Sequence, residues 1–447
     1  MFVCTRERVV RVERDGGSWA ATPVLEDVPA YAVAADGGRV LVGTHGRGAW
    51  LSRDGGATWE QADLPERDVL AVAIGAADGA LYAGSEPSRL FVSHDGVRWE
   101  ELEALQDIPS RDRWSFPPRP WTHHVRWIAP DPRDAGRLLV GIELGGVMYS
   151  DDGGATFSDH RAGAKLDVHC LAWHPRAAGV AYQAAGDGAA WSRDGGLRWD
   201  AADAGRDLRY CWALAVDPTA PELWYVSAAS GPRAAHAGER ARGRLYRWAD
   251  GWEPVPLPAE SMPYALAFSA GELVVALADG QILSGGADTG LRVGPVLAMS
   301  GGGLRGALPR ERELLEALQR RASLHNEGDR AALLAHPDAI ELPPEHVEHA
   351  RVVERAGAIA GFSVLLPAEN GACELDGLFV EPEAMGGGLG RALVDDAARI
   401  ARARGAASVA VVANPHALEF YRRVGFGGAD EVATRFGRGY RMHRAVG

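Results

Sequence analysis

The chain has 447 residues and a formal charge of −13, with 60 Asp and Glu against 47 Lys and Arg. From Gly302 onward the balance is nearly even, 18 Arg against 20 Asp and Glu, so the acid excess belongs to the preceding residues. A large acidic surface is a poor partner for phosphate backbones, which speaks against nucleic-acid binding.

The N-terminus, Met-Phe-Val-Cys-Thr-Arg-Glu-Arg, meets charge at once and has no apolar signal core. No apolar run is long enough to span a bilayer, so a cytoplasmic protein without a membrane partner is expected. The cysteines, Cys4, Cys170, Cys211 and Cys373, are far apart with no Cys-x-x-Cys pair. That spacing argues against a zinc knuckle and a disulfide scaffold, and no metal is assigned.

One phrase recurs along the first 300 residues. Ser52-Arg-Asp54-Gly-Gly-Ala-Thr-Trp59 returns as Ser150-Asp-Asp152-Gly-Gly-Ala-Thr-Phe157 and Ser192-Arg-Asp194-Gly-Gly-Leu-Arg-Trp199. Ser93-His-Asp95-Gly-Val-Arg-Trp99 is one residue shorter, and weaker copies sit at Asp15–Trp19 and Asp250–Trp252. Asp and Gly suit a hairpin turn, and the aromatic opens the next strand. A second repeat is apolar and rich in small residues. It covers Tyr31–Ala34, Leu70–Ala73, Val125–Ala129, Val168–Ala172, Cys211–Ala215, Tyr264–Ala267 and Val296–Ala298. Each predicts a buried inner strand, with room for three more before the next, as in a β-propeller. The unit count predicts seven blades. The three strands before Tyr31 lack an inner partner and the last inner strand lacks followers, so the two ends should complete one blade and remove an exposed edge.

The phrases resemble the Asp boxes of BNR-repeat proteins, the group of sialidases and sortilin-like receptors. The resemblance implies a propeller fold and a structural role for these aspartates.

The intervals Asp54–Asp95 and Asp152–Asp194 are 41 and 42 residues, whereas Asp95–Asp152 and Asp194–Asp250 are 57 and 56. The extra residues fall near Gln106–His123 and Ser230–Arg242. Both connections belong on the face opposite the Asp turns, where long loops on a rigid scaffold carry binding. His45, Glu86, His123, His124, Arg126, Glu143, His169 and Tyr210 collect at strand ends there. Such a ring suits a metal, a sugar or a peptide, and a glycan or protein ligand is the expected partner. A sialidase reading needs an arginine cluster and a Tyr–Glu pair. Arg113, Arg119, Arg126 and Tyr210 supply pieces, but no motif assembles them.

After Ser300-Gly-Gly-Gly303 the texture changes, so residues 301–303 are predicted to link a propeller (1–300) to an α/β domain (304–447). A strand near Leu304–Leu308 precedes helices over Arg310–Leu324 and Asp329–Leu334. Strands follow at Arg351–Glu354, Ile359–Leu366 and Cys373–Val380. Then come helix Gly388–Arg404, strand Ser408–Val412, helix Pro415–Val424 and a strand near Tyr440–His443.

Three motifs in this domain point to chemistry. Leu378-Phe-Val-Glu-Pro-Glu-Ala-Met-Gly-Gly-Gly388-Leu-Gly390-Arg391 ends a strand, turns on glycines and starts a helix, whose backbone N–H groups bind anions. In Asn414-Pro-His-Ala-Leu-Glu-Phe-Tyr421-Arg-Arg-Val-Gly-Phe426, Asn414 caps a helix, Pro415 fits its first position and Gly425 ends it. Tyr421, two turns on, should share the face of Asn414. In Glu374-Leu-Asp376-Gly-Leu378, strand alternation should point Glu374, Asp376 and Leu378 one way.

In this order the motifs resemble the GNAT superfamily of N-acetyltransferases, over about 140 residues. The resemblance implies acetyl-CoA as co-substrate and a small-molecule or protein amine as acceptor. Its pantetheine would lie beside Leu378, Phe379 and Val380. Its pyrophosphate would sit on the N–H groups of Gly386, Gly387, Gly388, Leu389, Gly390 and Arg391, with Met385 and Asn414 also in the coenzyme site. Met385 stands where the family usually has Arg or Gln, which should weaken binding. Glu374 occupies the position of the base in some members, with Asp376 the alternative. The backbone N–H of Phe379 or Val380 would polarise the thioester, and Tyr421 would protonate the leaving thiolate. The propeller is then a binding module. The competing readings make the propeller the working part, as a binder or a glycosidase, with the transferase regulatory or vestigial.

Overall fold

The computed structural model describes residues 1–15, 18–118, 122–218, 220–258, 260–269, 271–301, 303–325, 330, 333–355, 358–369, 371–435 and 437–446. Two compact units emerge: Met1–Gly302 with Ala356–Ala358, and Gly303–Arg355 with Ile359–Gly447.

The first unit is a seven-bladed β-propeller. Its seven sheets are each built in sequence order from an inner strand outward, except the one that joins the two ends. The inner strands are Ala30–Asp36, Val69–Ile74, Val125–Asp131, Val168–Trp173, Tyr210–Val216, Pro263–Ser269 and Val296–Ser300. Each lies beside the next, and the last returns to the first, closing the ring. All seven predicted inner segments fall on them. Val296–Ser300 pairs antiparallel with Phe2–Thr5, matching Val3 to Met299 and Cys4 to Ala298. The N-terminal strands thus supply the outer part of the last blade, and the sheet edge disappears as expected.

The blade from Val125 departs from the plan. It has three strands, and its fourth shrinks to one bridge between Tyr149 and Ser158. The N–H of Val147, which a fourth strand would engage, donates instead to His160 Nδ1 at 3.2 Å.

Each Asp turn is tied by its own side chains. Ser52 Oγ donates to Asp54 Oδ1 at 2.8 Å and accepts from Gly56 N–H at 2.8 Å. Asp54 also accepts from the N–H and hydroxyl of Thr58, at 2.8 and 2.6 Å. Asp152 repeats this with Ser150 and Thr156, and Asp194 with Ser192, Leu197 and Arg198. Burial opposes ionisation of Asp54 and Asp194, yet these bonds hold both below the ordinary carboxylate value. Backbone bonds from Arg98 and Val97 lower Asp95, and the Thr156 hydroxyl and N–H lower Asp152. A carboxylate whose folded-state value is depressed adds stability above its unfolded value, about 3.9, and loses it as pH falls further. The propeller's unfolding midpoint in urea should therefore drop steeply below about pH 4. Tryptophan fluorescence reads this unit alone, because all 14 tryptophans precede residue 253. Replacing Asp54, Asp152 and Asp194 together by Asn should flatten that pH slope.

The second unit is a mixed seven-stranded sheet. Its strands are β1 (Gly303–Gly306), β2 (Ala350–Arg355), β3 (Ala358–Glu369), β4 (Ala372–Val380), β5 (Ser408–Ala413), β6 (Gly427–Thr434) and β7 (Gly437–Ala445), in the order β1-β2-β3-β4-β5-β7-β6. Helix α1 (Arg312–His325) covers one face, where Leu315 and Leu318 pack on Val352, Phe362 and Val364. Helix α2 (Leu389–Ala403) and the short α3 (Leu418–Arg423) cover the other, where Val394, Ala397 and Tyr421 pack on Cys373, Leu375, Val409 and Val411. Of the helix predicted over Asp329–Leu334, Arg330, Leu333 and Leu334 are helical, and residues 329, 331 and 332 lie outside the described residues. Strand β6 was not predicted: it opens with two glycines and is exposed almost throughout, so no apolar alternation marks it.

Candidate functional site

The centre of the second unit is a fork between β4 and β5. They run parallel and in register only from Ala372↔Ser408 to Glu374↔Ala410. Beyond that the strands part, while β4 continues to Val380 and β5 to Ala413. A bulge marks the place. Leu375 lies opposite Leu365 and Gly377 opposite Val364, leaving Asp376 as the extra residue of β4. A bulge bends its strand and breaks the alternation of faces.

This corrects the expectation that Glu374, Asp376 and Leu378 point one way. Cys373 and Leu375 are buried on the α2 face, and Leu378 packs there too. Glu374 is exposed between them, and Asp376 meets His346 Nδ1 at 3.3 Å across the other face. His346 belongs to a 3-10 helix, Pro344–His349, that carries Val347 into the α1-side core. Sequence reasoning missed this histidine, since no periodic pattern surrounds it.

The bulge and fork also decide which strand amides are available. Glu381 N–H donates to Ala360 O at 2.9 Å. Antiparallel bonding alternates, so with Phe379 opposite Phe362, its N–H also turns to β3. The N–H groups of Leu378 and Val380 face the side from which β5 has withdrawn. The N–H of Val380 is therefore directed to the fork, and that of Phe379 into the sheet.

The fork opens into a cleft of about 760 Å³, within the range usual for small-ligand sites. Leu378, Phe379, Val380 and Met385 form one wall, Val412 to Ala417 another, and Ser323, His325 and Arg438 add polar groups. Glu374, Asp376 and Tyr421 are not among its lining residues.

Met385 on the cleft wall leads into the glycine turn, although none of the residues from Gly386 to Arg391 is among the lining residues. Gly386 and Gly388 have φ of +82° and +84°, a conformation that costs other residues energy. Gly388 is the N-cap of α2 and gives no side-chain cap. Among the described residues, no acceptor meets the N–H groups of Leu389, Gly390 and Arg391, and the first intrahelical bond is Ala392 N–H to Gly388 O. A Cβ at Gly387 would lie 2.9 Å from the Arg355 guanidinium, and one at Gly390 would lie 3.1 Å from the Phe420 ring. The glycines thus admit Arg355 to the turn and seat α2 against α3. The result is a row of uncapped donors at the positive end of a helix dipole.

Asn414 caps as expected: its Oδ1 accepts from Ala417 N–H at 2.9 Å. The following turn is 3-10 (Pro415–Ala417) before α3 begins, and its tighter winding rotates the residues after it. Tyr421, unlike Asn414, is not among the residues that line the cleft. It is 7% exposed, with its ring 5.2 Å from those of Phe420 and Phe426. Burial pushes its phenol up to about 12. Ala417, one turn earlier on the same helical face, lines the cleft.

The propeller has its own polar centre at the end where inner strands begin. Glu143 is the hub: His124 Nε2 lies 2.8 Å from its Oε2, Arg126 Nε 3.5 Å from the same oxygen, and His169 Nε2 3.9 Å from Oε1. Burial would raise Glu143, but the His124 hydrogen bond and the Arg126 charge bring it to about 2. Burial lowers His169 to about 4. Asp167 is raised to about 7 by burial and by the charges of Glu143 and Asp187. Tyr210, Trp212, His236 and Tyr264 surround the group, with Trp212 and His236 centroids 4.6 Å apart and His236 Nδ1 3.0 Å from the Tyr264 hydroxyl.

Both long connections reach this end. The first holds 3-10 turns at Glu103–Asp107 and Arg111–Arg113 and sets Trp114 against His123; the second holds a short helix, Pro232–Ala235, and brings His236. Of the predicted ring, His124, Arg126, Glu143, His169 and Tyr210 come together. His45 pairs with Asp68, and Glu86 accepts from Thr122 at 2.5 Å. Arg119 lies outside the described residues, and among those described Arg126 is the one arginine beside Glu143. Asp167, Trp212, His236 and Tyr264 were not named: Trp212 and Tyr264 lie in repeat segments read as core, Asp167 precedes one, and His236 lies within the second long connection.

A protein-family model described as the acetyltransferase (GNAT) family matches residues 313–426. A search of curated proteins gave no match. Among solved structures, an ancestral GH74 enzyme is similar over 57% of this chain, at 15% identity and a TM-score of 0.46; the chain spans only 36% of that enzyme's length. A GCN5-related N-acetyltransferase from Rhodopseudomonas palustris is similar over 33% of this chain and 97% of its own, at 22% identity and a TM-score of 0.27. The PaiA N-acetyltransferase from Thermoplasma acidophilum, solved with coenzyme A, is similar over 32% of this chain and 97% of its own, at 16% identity and a TM-score of 0.27. No helix among the described residues is long and apolar enough to cross a membrane. The family model thus places residues 313–426, following the seven-bladed β-propeller in the chain, in a domain of the GNAT acetyltransferase family.

Proposed function

We propose that the second unit, taken as residues 304–447, transfers an acetyl group from acetyl-CoA to an amine, and that the propeller, residues 1–300, recognises the acceptor or a partner through its polar mouth. The observation that carries this is the row of uncapped N–H groups at the start of α2 beside a fork of matching size. Acetyl-CoA supplies an activated acetyl thioester. The residues of the fork do the rest. The N–H groups of Leu389, Gly390 and Arg391 hold a diphosphate, and Gly386 and Gly388 let it approach. The N–H groups of Leu378 and Val380 bind the extended arm, and that of Val380 polarises the reacting carbonyl. An amine is mostly protonated at pH 7, so Glu374 or Asp376, the latter beside His346, must take its proton. Tyr421 returns a proton to the departing sulfur.

Calorimetric titration of the full chain with coenzyme A tests the core of this reading. A single binding event is expected, and no binding would sink it. A second titration tests the position of the diphosphate. Met385 lines the cleft and is 46% exposed, so Arg fits there without repacking. A charge-assisted hydrogen bond contributes about 1.5–3 kcal/mol. Met385→Arg should therefore tighten coenzyme A binding by about tenfold or more. An unchanged affinity would place the diphosphate elsewhere.

A further inference from the structure

Three hydrogen-bond acceptors converge at the propeller mouth. His169 Nε2 lies 3.6 Å from Asp167 Oδ1 and 3.9 Å from Glu143 Oε1, and all three ligand atoms fall within 4.8 Å of one another. The histidine tautomer is fixed. Its Nδ1 is 2.6 Å from Cys211 O, which only accepts, so Nδ1 carries the hydrogen and Nε2 of the neutral ring presents a lone pair. The donor nearest that lone pair is the Tyr210 hydroxyl, at a long 3.4 Å. Glu143 is already oriented, since His124 and Arg126 both address Oε2 and leave Oε1 for the centre. Asp167 has room only because residue 186 is glycine: a Cβ there would lie 1.8 Å from Asp167 Oδ2.

We infer that Glu143, Asp167 and His169 form a three-ligand site for a divalent first-row transition cation. One imidazole and two carboxylates are the donor set such ions accept, and a ligand histidine typically donates its other N–H to a carbonyl, as His169 does. Bonds of about 2.1 Å imply ligand separations of about 3.0–3.5 Å. The 3.6 Å side is close to this, the 3.9 Å side must shorten by about 0.4–0.9 Å and the Glu143–Asp167 side is at most 4.8 Å, so both carboxylates must draw inward on binding. His169 is fully buried and Glu143 nearly so. Asp167 is 21% exposed and marks the open side, where further coordination positions face the mouth. The Arg126 guanidinium, 4.9 Å over Trp212, offsets one carboxylate charge and keeps the site from being strongly negative before a cation arrives. This site is independent of the transferase cleft.

The test is titration of metal-stripped full-length protein with Zn²⁺ and with Mn²⁺. One equivalent should bind, and Asp167→Ala and His169→Gln should each weaken binding by about 100-fold, while Glu86→Gln, at the same mouth, leaves it unchanged. With Mn²⁺ bound, pulsed electron paramagnetic resonance should show one coupled imidazole nitrogen. Tryptophan fluorescence checks that His169→Gln folds, and Asp167→Ala at the partly exposed corner carries the result if it does not. Absence of binding by both ions, or binding that survives Asp167→Ala, overturns the site.

Discussion

Replacing Arg305 by Ala is expected to destabilise the second unit by about 3–5 kcal/mol, because it strands two buried carboxylates. Arg305 is 7% exposed, Glu311 7% and Glu354 2%. The guanidinium donates to Glu354 Oε1 at 2.7 and 3.0 Å and to the two oxygens of Glu311 at 2.7 and 2.9 Å. Burial works against the arginine's charge, but the two carboxylates keep it ionised. The triad ties β1 to β2 and to the turn that starts α1, since Glu311 Oε2 also accepts from Leu308 N–H at 2.8 Å. A buried ion pair contributes little over a neutral replacement, whereas breaking it leaves charge without a partner. Arg305→Met combined with Glu311→Gln and Glu354→Gln should therefore recover most of the loss. No tryptophan lies beyond residue 252. The loss should appear in the urea midpoint of helical circular dichroism and leave the tryptophan midpoint of the propeller in place. Equal destabilisation by the triple variant would show that the charges themselves matter.

The propeller was legible because its physics repeats. Every blade needs small residues at the crowded axis, and most need the same Ser-Asp-Gly turn, so the chain writes its plan several times. Even the closure could be read, from three strands without an inner partner and one inner strand without followers. What escaped was whatever one side chain decides. His160 replaces a strand in one blade by occupying Val147 N–H. The bulge at Asp376 leaves no mark in the alternation of Cys373, Glu374 and Leu375, yet it reverses the face of Leu378 relative to that expected. In the transferase cleft the glycines were readable as conformation, since Gly386 and Gly388 demand positive φ. The pairing of Asp376 with His346 was not, because the two lie 30 positions apart in the chain and only the fold brings them together. The same holds for Asp167, whose place opposite Glu143 and His169 depends on Gly186 being bare.

Tyr421→Phe should lower kcat for acetyl transfer by about 10²–10⁴-fold, the usual contribution of a positioned acid, with KM for the coenzyme little changed. The substitution isolates chemistry from structure. The ring stays packed against Phe420 and Phe426, and among the described residues the hydroxyl makes no hydrogen bond whose loss would loosen the core. Coenzyme A should therefore bind the variant as tightly as the parent, and the circular dichroism midpoint should hold. Burial pushes the phenol to about 12, so it remains protonated across the working range and can donate to a sulfur that acquires charge as the amine attacks. The parent should accordingly show no falling limb in kcat from this group until the pH nears 12. Ala417, one turn earlier on the same face, borders the cleft, whereas Tyr421 itself is not among the lining residues, so the proposed role requires its hydroxyl to reach the sulfur past that wall. If Tyr421→Phe turns over at the parental rate, the proton reaches the sulfur by another route, with His416 and His325, which line the cleft, the next groups to replace.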